Sequence, residues 1–164
     1  MTKEKPPVTP AVRQLRGAGV QFTDHLYEYE EKGGTAVSAR ELGVGEHSVV
    51  KTLVMEDEGR NPVVVLMHGD KQVSAKELAR VIGVKTISPC NPETANRHTG
   101  YMVGGTSPFG MRKPLPVYME RTILELPRIY INGGKRGYLV GMNPAEAVRL
   151  LEPTLVGVAT DKAT

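Results

Sequence analysis

Short strand-like and helix-like segments follow one another irregularly along this chain, and this order restricts its fold more than any other feature. Strand-like patterns occupy residues 22–29, 49–55, 62–67, 85–87, 115–119, 128–131, 138–140 and 155–158. Helix starts are expected at the capping residues Thr9, Thr35, Ser74, Asn91 and Asn143. Because no strand–helix–strand rhythm is sustained, we predict an α+β fold with a mixed, barrel-like β-sheet surrounded by helices, not a doubly wound sheet.

The length of 164 residues suits one domain, predicted over residues 9–164 after a flexible, Pro- and Lys-rich lead-in over residues 1–8. The longest apolar run, Val63 to Met67, is too short to span a bilayer. Cys90 is the only cysteine, which excludes an intramolecular disulfide and a four-cysteine zinc site. These features predict a cytoplasmic protein with no membrane contact.

Two glycine loops, each followed by cations, carry the strongest binding signal. The first loop spans residues 104–110 and precedes Arg112 and Lys113, and the second spans residues 133–137 and contains Lys135 and Arg136. Glycine permits positive φ and close approach of the backbone, and free N–H groups in such loops can point at an anion. With a net charge of only +3, the chain suits contact with a few phosphates, such as a nucleic-acid end. The alternative is a solvated cationic face.

A lysine within a largely apolar strand is the second candidate feature. Residues 49–55 and 62–67 predict a β-hairpin, and strand alternation places Lys51, Leu53 and Met55 on one face. Burying a lysine is costly unless it meets an anion, so Lys51 is a candidate for a site. The alternative is an edge-strand lysine that opposes aggregation.

Other catalytic chemistry has little support in the sequence. The four histidines, His25, His47, His68 and His98, show no metal-ligand spacing, and no nucleophile elbow is present. Cys90 is interpreted as a packing residue. We therefore predict no metal and no cofactor, and the residues alone leave open an enzyme, an RNA- or nucleotide-binding domain, or an interaction domain.

Three ordered motifs resemble the YbaK/EbsC family of aminoacyl-tRNA editing proteins. They are Lys51-Thr52-Leu53, residues 99–110 and residues 129–137, and the resemblance runs from about Thr9 to Val158. It implies hydrolysis of the ester that joins a wrong amino acid to the 3′ acceptor end of tRNA, in trans beside a synthetase. Cys-tRNA(Pro) deacylase is the subgroup that the chain resembles most, and prolyl-tRNA synthetase is the implied partner.

The resemblance also implies a set of site residues, with the substrate supplying part of the chemistry itself. Lys51, Gly105 and Ser107 are implied as catalytic. The residues implied to bind substrate are Tyr27, Gly104, Thr106, Pro108, Gly133, Gly134, Lys135 and Arg136. The chain departs from the family pattern at Leu139, where several relatives carry a polar residue, and at Thr106, where a branched apolar residue is common. The alternative is a non-catalytic RNA- or nucleotide-binding domain that keeps the same loops.

Overall fold

The computed structural model describes residues 5–161, so residues 1–4 of the predicted lead-in and residues 162–164 of the predicted domain lie outside the described residues. Helices α1 to α5 span Pro10–Gly17, Gly34–Leu42, Ala75–Ile82, Pro92–Thr99 and Pro144–Leu151. Strands β1 to β10 span Thr23–Leu26, Val49–Asp57, Pro62–His68, Lys71–Val73, Ile87–Pro89, Val117–Glu120, Ile129–Lys135, Tyr138–Met142, Thr154–Val156 and Ala159–Asp161. Short 3₁₀ helices span Glu46–Ser48 and Arg121–Glu125.

The main sheet is mixed, which confirms the predicted α+β class. Its eight strands follow the order β1-β8-β7-β2-β3-β6-β9, with β5 pairing to β2 beside this path. The pairs β2–β7, β3–β6 and β6–β9 are parallel, and the others in this sheet are antiparallel. Strands β4 and β10 form a separate antiparallel pair.

Strand β2 contributes to three apolar clusters, and this places the site. Val50 packs into the largest cluster with α1 and α5, and Met55 packs with α3 in the second. Val49 packs with Ala39 of α2 and Leu139 of β8 in the third. Val49 and Met55 lie on the same face of β2. The helix that packs against this face is therefore α2 near Val49 and α3 near Met55. Lys51 lies between these two residues.

Local sequence signals locate most helix starts correctly. The side chains of Thr9, Ser74, Asn91 and Asn143 each accept a hydrogen bond from a backbone N–H in the first turn of the following helix. The predicted cap at Thr35 is wrong, because the N-cap of α2 is Gly33, two residues earlier, and it makes no side-chain cap hydrogen bond. The Thr35 hydroxyl bonds elsewhere, as described below.

Several predicted strand limits need correction. The strand predicted over residues 22–29 ends at Leu26, because Tyr27 N–H bonds to the Gly137 carbonyl outside the ladder. The strand predicted over 115–119 begins at Val117, since Pro116 has no N–H to donate. The strand predicted over 155–158 is Thr154–Val156, and the three-residue β4 and β10 are too short to show alternation. Among residues 5–161, the longest helices are too short to cross a bilayer.

Candidate active site

An interruption in the pairing of β2 opens the sheet. On one edge β2 pairs with β3 from Val50 to Glu56, but on the other it meets β7 only at Val49–Val50 and β5 only at Met55–Asp57. From Lys51 to Val54, no described strand pairs with that second edge. The Thr52 hydroxyl is buried here and has no hydrogen-bond partner among the described residues. The interruption leaves polar groups for a ligand to meet.

A cleft of about 780 Å³ lies at this interruption. Residues 49–55 form one wall of the cleft, and α2 with the segment before it forms another. Gly104 and Thr106 of the first glycine loop also line the cleft, as does Val103 just before this loop. Lys51 is half-buried in this wall. Clefts of this size hold small molecules or one nucleotide unit. The cleft therefore offers a cation, apolar surface and the broken strand edge to one ligand.

Asn132 on β7 joins the two glycine loops. Its Nδ2 donates to the Gly104 carbonyl at 3.0 Å, and its Oδ1 accepts from the N–H groups of Gly134 and Lys135 at 2.7 and 3.1 Å. The Gly105 N–H donates to the Met102 carbonyl at 2.8 Å. These three N–H groups therefore face protein acceptors, whereas the sequence predicted N–H groups aimed at an anion. The two loops therefore fix each other's position beside the cleft.

Arg136 and Tyr29 lie next to Gly104 at the rim of the cleft. Arg136 Nε donates to the Val103 carbonyl at 2.8 Å, and its guanidinium lies 5.1 Å from the centre of the Tyr29 ring. Gly104 adopts φ +90°, and a Cβ there would lie 2.5 Å from the Tyr29 hydroxyl oxygen. Glycine is therefore required for Tyr29 to pack against the loop. The guanidinium is held by protein contacts before any ligand arrives.

The predicted site residues divide into two groups. Those that line the cleft are Lys51, Tyr27, Gly104, Thr106 and Arg136, while Gly105, Ser107, Pro108, Gly133, Gly134 and Lys135 do not. Burial in the cleft wall raises the pKa of Tyr27, which keeps its hydroxyl protonated.

The residues behind the cleft hold the loops in place. Ser107 is fully buried, and its Oγ accepts from the Phe109 N–H at 3.2 Å. The Thr9 hydroxyl donates to the Gly133 carbonyl at 2.5 Å, which fastens the start of α1 to the second glycine loop.

Sequence reasoning missed several residues of the site. Asn132 and Tyr29 are two of them, and Thr35 and Glu46 are two more. The Thr35 hydroxyl lies 2.7 Å from Glu46 Oε2 and 3.1 Å from the Gly69 carbonyl, and Thr35 and Glu46 both line the cleft. The position of Asn132 inside the third motif, residues 129–137, is the only local signal, because the other contacts join segments distant in sequence.

Cys90 also lines the cleft. Desolvation, followed by the charge of Glu56 and a hydrogen bond with it, raises the pKa of the thiol to about 11. A thiol so protonated near neutral pH is a poor nucleophile.

We expect the rate of Cys90 alkylation by iodoacetamide to rise with pH and reach half its maximum near pH 11, above the ordinary thiol range of about 8.5. The pH profile of the alkylation rate of the folded protein, followed by mass spectrometry, measures this value. A midpoint near that of a free thiol would restore Cys90 as a candidate nucleophile. The unfolded protein provides the control, because its single thiol should titrate normally.

The fold brings together three potential metal ligands that lie apart in sequence. Donor atoms of His47, His68 and Asp70 lie within 4.8 Å of one another. His47 Nδ1 lies 2.9 Å from Asp70, and the two nitrogens of His68 bond to the His47 carbonyl and the Thr122 hydroxyl. Burial lowers the pKa of His68, which favours the neutral ring. None of the three ligands lines the cleft, and their hydrogen bonds brace the 3₁₀ helix that precedes β2.

Most of the chain is similar to known proteins. Residues 30–150 match the family described as "Aminoacyl-tRNA editing domain". EbsC of Enterococcus faecalis, named as a Cys-tRNA(Pro)/Cys-tRNA(Cys) deacylase, is 28% identical over 153 residues, which cover 93% of each chain. Proline–tRNA ligase of Streptococcus equi subsp. equi is 29% identical over 128 residues, which are 76% of this chain and 21% of the ligase.

The fold is shared with solved structures. One described as a trans-editing enzyme for prolyl tRNA synthetase aligns with a TM-score of 0.78 and 22% identity, over 96% of this chain and 100% of the other. The family match covers most of the chain, including Lys51 and both glycine loops, and it confirms the resemblance drawn from the motifs. The chain therefore belongs to the aminoacyl-tRNA editing domain family.

Proposed function

We propose that this protein hydrolyses the ester of mischarged aminoacyl-tRNA in trans, with Cys-tRNA(Pro) as the preferred substrate. The observation that carries the proposal is the half-buried Lys51 on the interrupted edge of β2, facing a rim built from both glycine loops. The name of EbsC supports this substrate. The matches to proline–tRNA ligase and to a trans-editing enzyme support prolyl-tRNA synthetase as the partner and the cytoplasm as the location.

The proposed chemistry needs no protein nucleophile. The cysteine thiolate of the substrate attacks its own carbonyl carbon, the new C–S bond displaces the ribose oxygen, and that oxygen takes a proton. Water then opens the cyclic thioester to free cysteine. The protein must hold the ester and stabilise the negative charge that develops on oxygen, a role that suits the Lys51 ammonium.

The other predicted residues have supporting roles in this proposal. Tyr27, Gly104, Thr106 and Arg136 line the cleft and contact the substrate. Hydrogen bonds of Gly105, Ser107, Gly133, Gly134 and Lys135 position the loops from behind the cleft, and Pro108 is buried next to Ser107 in the chain. A second site of this kind is useful because a synthetase active site rejects a near-isosteric amino acid only weakly by binding.

We expect Cys-tRNA(Pro) to be hydrolysed at least roughly tenfold faster than Ser- or Ala-tRNA(Pro), because a few per cent of a free thiol is ionised near neutral pH and a hydroxyl hardly is. The three charged forms of one tRNA are compared at equal protein concentration. Equal rates for all three would show that the side chain takes no part, and would require an activated water or a protein nucleophile.

A further inference from the structure

The size of the cleft limits how much of a tRNA can enter it. About 780 Å³ accommodates one nucleoside with its amino acid, so the nucleotides before the terminal adenosine must cross the rim. Their bases are unpaired at the 3′ end, and unpaired bases bind to apolar or aromatic side chains while their phosphates meet cations. The rim should therefore combine apolar surface with positive charge.

The rim has such an apolar surface. Met102 is 59% exposed and its neighbour Val103 is 45% exposed, although both are large apolar side chains. We call these two residues the Met102–Val103 ridge. Val103 lines the cleft, whereas Met102, the residue before it in the chain, does not. The two residues together place an exposed apolar surface directly beside the cleft.

One cation contacts the ridge, and two more lie close to the segment that precedes it in the chain. Arg136 is hydrogen-bonded to the Val103 carbonyl, and Arg112 packs over Gly100, with side-chain atoms at 3.5–3.7 Å from a Cβ position there. Arg112 also donates to the Arg97 carbonyl at 3.4 Å, and Lys113 follows it. The side chains of Arg136, Arg112 and Lys113 take part in no ion pair among the described side chains. Their charge is available to phosphates.

We infer that the Met102–Val103 ridge binds the unpaired bases that precede the terminal adenosine of tRNA, with Arg112 and Lys113 contacting their phosphates. The inference rests on the proposed function, and adds to it a surface for the single-stranded 3′ end outside the cleft. The path runs from Arg112 across the ridge to Arg136 and Tyr29 at the cleft mouth. Adaptable methionine contacts suit bases of any sequence.

The test compares two substrates that differ only in these nucleotides, cysteinyl-CCA trinucleotide and cysteinyl-adenosine. The wild type should show a kcat/KM about tenfold higher for the trinucleotide, as expected for base contacts of ordinary strength. In the double variant Met102→Ser/Val103→Ser this ratio should fall to about one. Both residues use their backbone carbonyls in the hydrogen bonds of the loop, so serine keeps those bonds. Val81→Ser, a 48% exposed position on α3, is the matched control and should keep the wild-type ratio.

Each outcome separates the inference from the proposed function. Hydrolysis of both substrates with no preference in the wild type, or a preference that survives in the double variant, would overturn the inference alone. Failure to hydrolyse either substrate or intact Cys-tRNA(Pro) would overturn the proposed function and the inference with it. A double variant that keeps the preference but binds prolyl-tRNA synthetase more weakly would assign the ridge to a protein partner instead.

The phosphate contacts have an independent readout. Each phosphate neutralised on a single strand contributes about 0.7 to the slope of log affinity against log salt. Arg112→Gln/Lys113→Gln should therefore lower that slope by about 1.4 for the binding of tRNA. Arg60→Gln/Lys85→Gln, which removes two exposed cations that do not line the cleft, is the charge-matched control. An equal reduction in both variants would contradict a specific phosphate path.

Discussion

Replacing Lys51 by alanine is expected to slow the single-turnover hydrolysis of Cys-tRNA(Pro) by about 10²–10³-fold, the usual effect of removing one group that stabilises a developing oxyanion. The ammonium sits in the cleft wall, at the interrupted edge of β2. No other lysine lines the cleft except Lys32, which is exposed, among the residues that the structure describes. Quenched-flow measurement with excess protein isolates the chemical step from product release.

Two controls accompany this measurement. Lys76→Ala, on the exposed face of α3, removes the same charge far from the cleft and should hydrolyse the substrate at the wild-type rate. Thermal melting of Lys51→Ala shows whether the fold survives. A folded Lys51→Ala variant with a near-normal rate would remove Lys51 from the mechanism.

Gly110→Ala is expected to lower the free energy of unfolding by about 3 kcal/mol or more, through left-handed strain and overpacking together. Gly110 has φ +63°, and a Cβ there would lie 2.4 Å from the Pro10 carbonyl carbon. Its N–H also donates to Gln14 Oε1 at 2.6 Å. Because these contacts fasten the first glycine loop to α1, the variant should melt about 10 °C lower and lose activity as it melts.

Gly19→Ala separates the two causes. Gly19 has a similar φ of +70°, but a Cβ there meets nothing within 4 Å. Gly19→Ala should therefore lower the free energy of unfolding only by the left-handed backbone strain, about 1–2 kcal/mol. Chemical denaturation of both variants compares the two costs directly, and equal losses would show that the contact with Pro10 contributes nothing.

The features that the sequence predicts well depend on local chemistry. The β2–β3 hairpin follows from two largely apolar runs joined by a turn at Asp57, whose carboxylate accepts from the N–H groups of Gly59 and Asn61. The twofold repeat of a β-strand places Lys51 on the face of Leu53 and Met55. The helix caps are local as well, since each joins a side chain to an N–H two or three residues away.

The features that the sequence does not predict depend on contacts between distant segments. The interruption beside Lys51 exists because β7 pairs with the beginning of β2 and β5 pairs with its end. This arrangement depends on three segments together, so no single segment predicts it. Thr35 looks like a helix cap, yet its hydroxyl bonds to Glu46 and to the Gly69 carbonyl, because the fold brings two distant turns to α2. Asn132 likewise acquires its role only when the two glycine loops meet.

The most direct test of the account is the release of free cysteine from excess Cys-tRNA(Pro) by a small amount of the protein. We predict linear release that continues for many equivalents per protein molecule and leaves intact, uncharged tRNA. Tight binding of the charged tRNA with release no faster than spontaneous hydrolysis would contradict the account, and would favour an RNA-binding domain that keeps the same glycine loops.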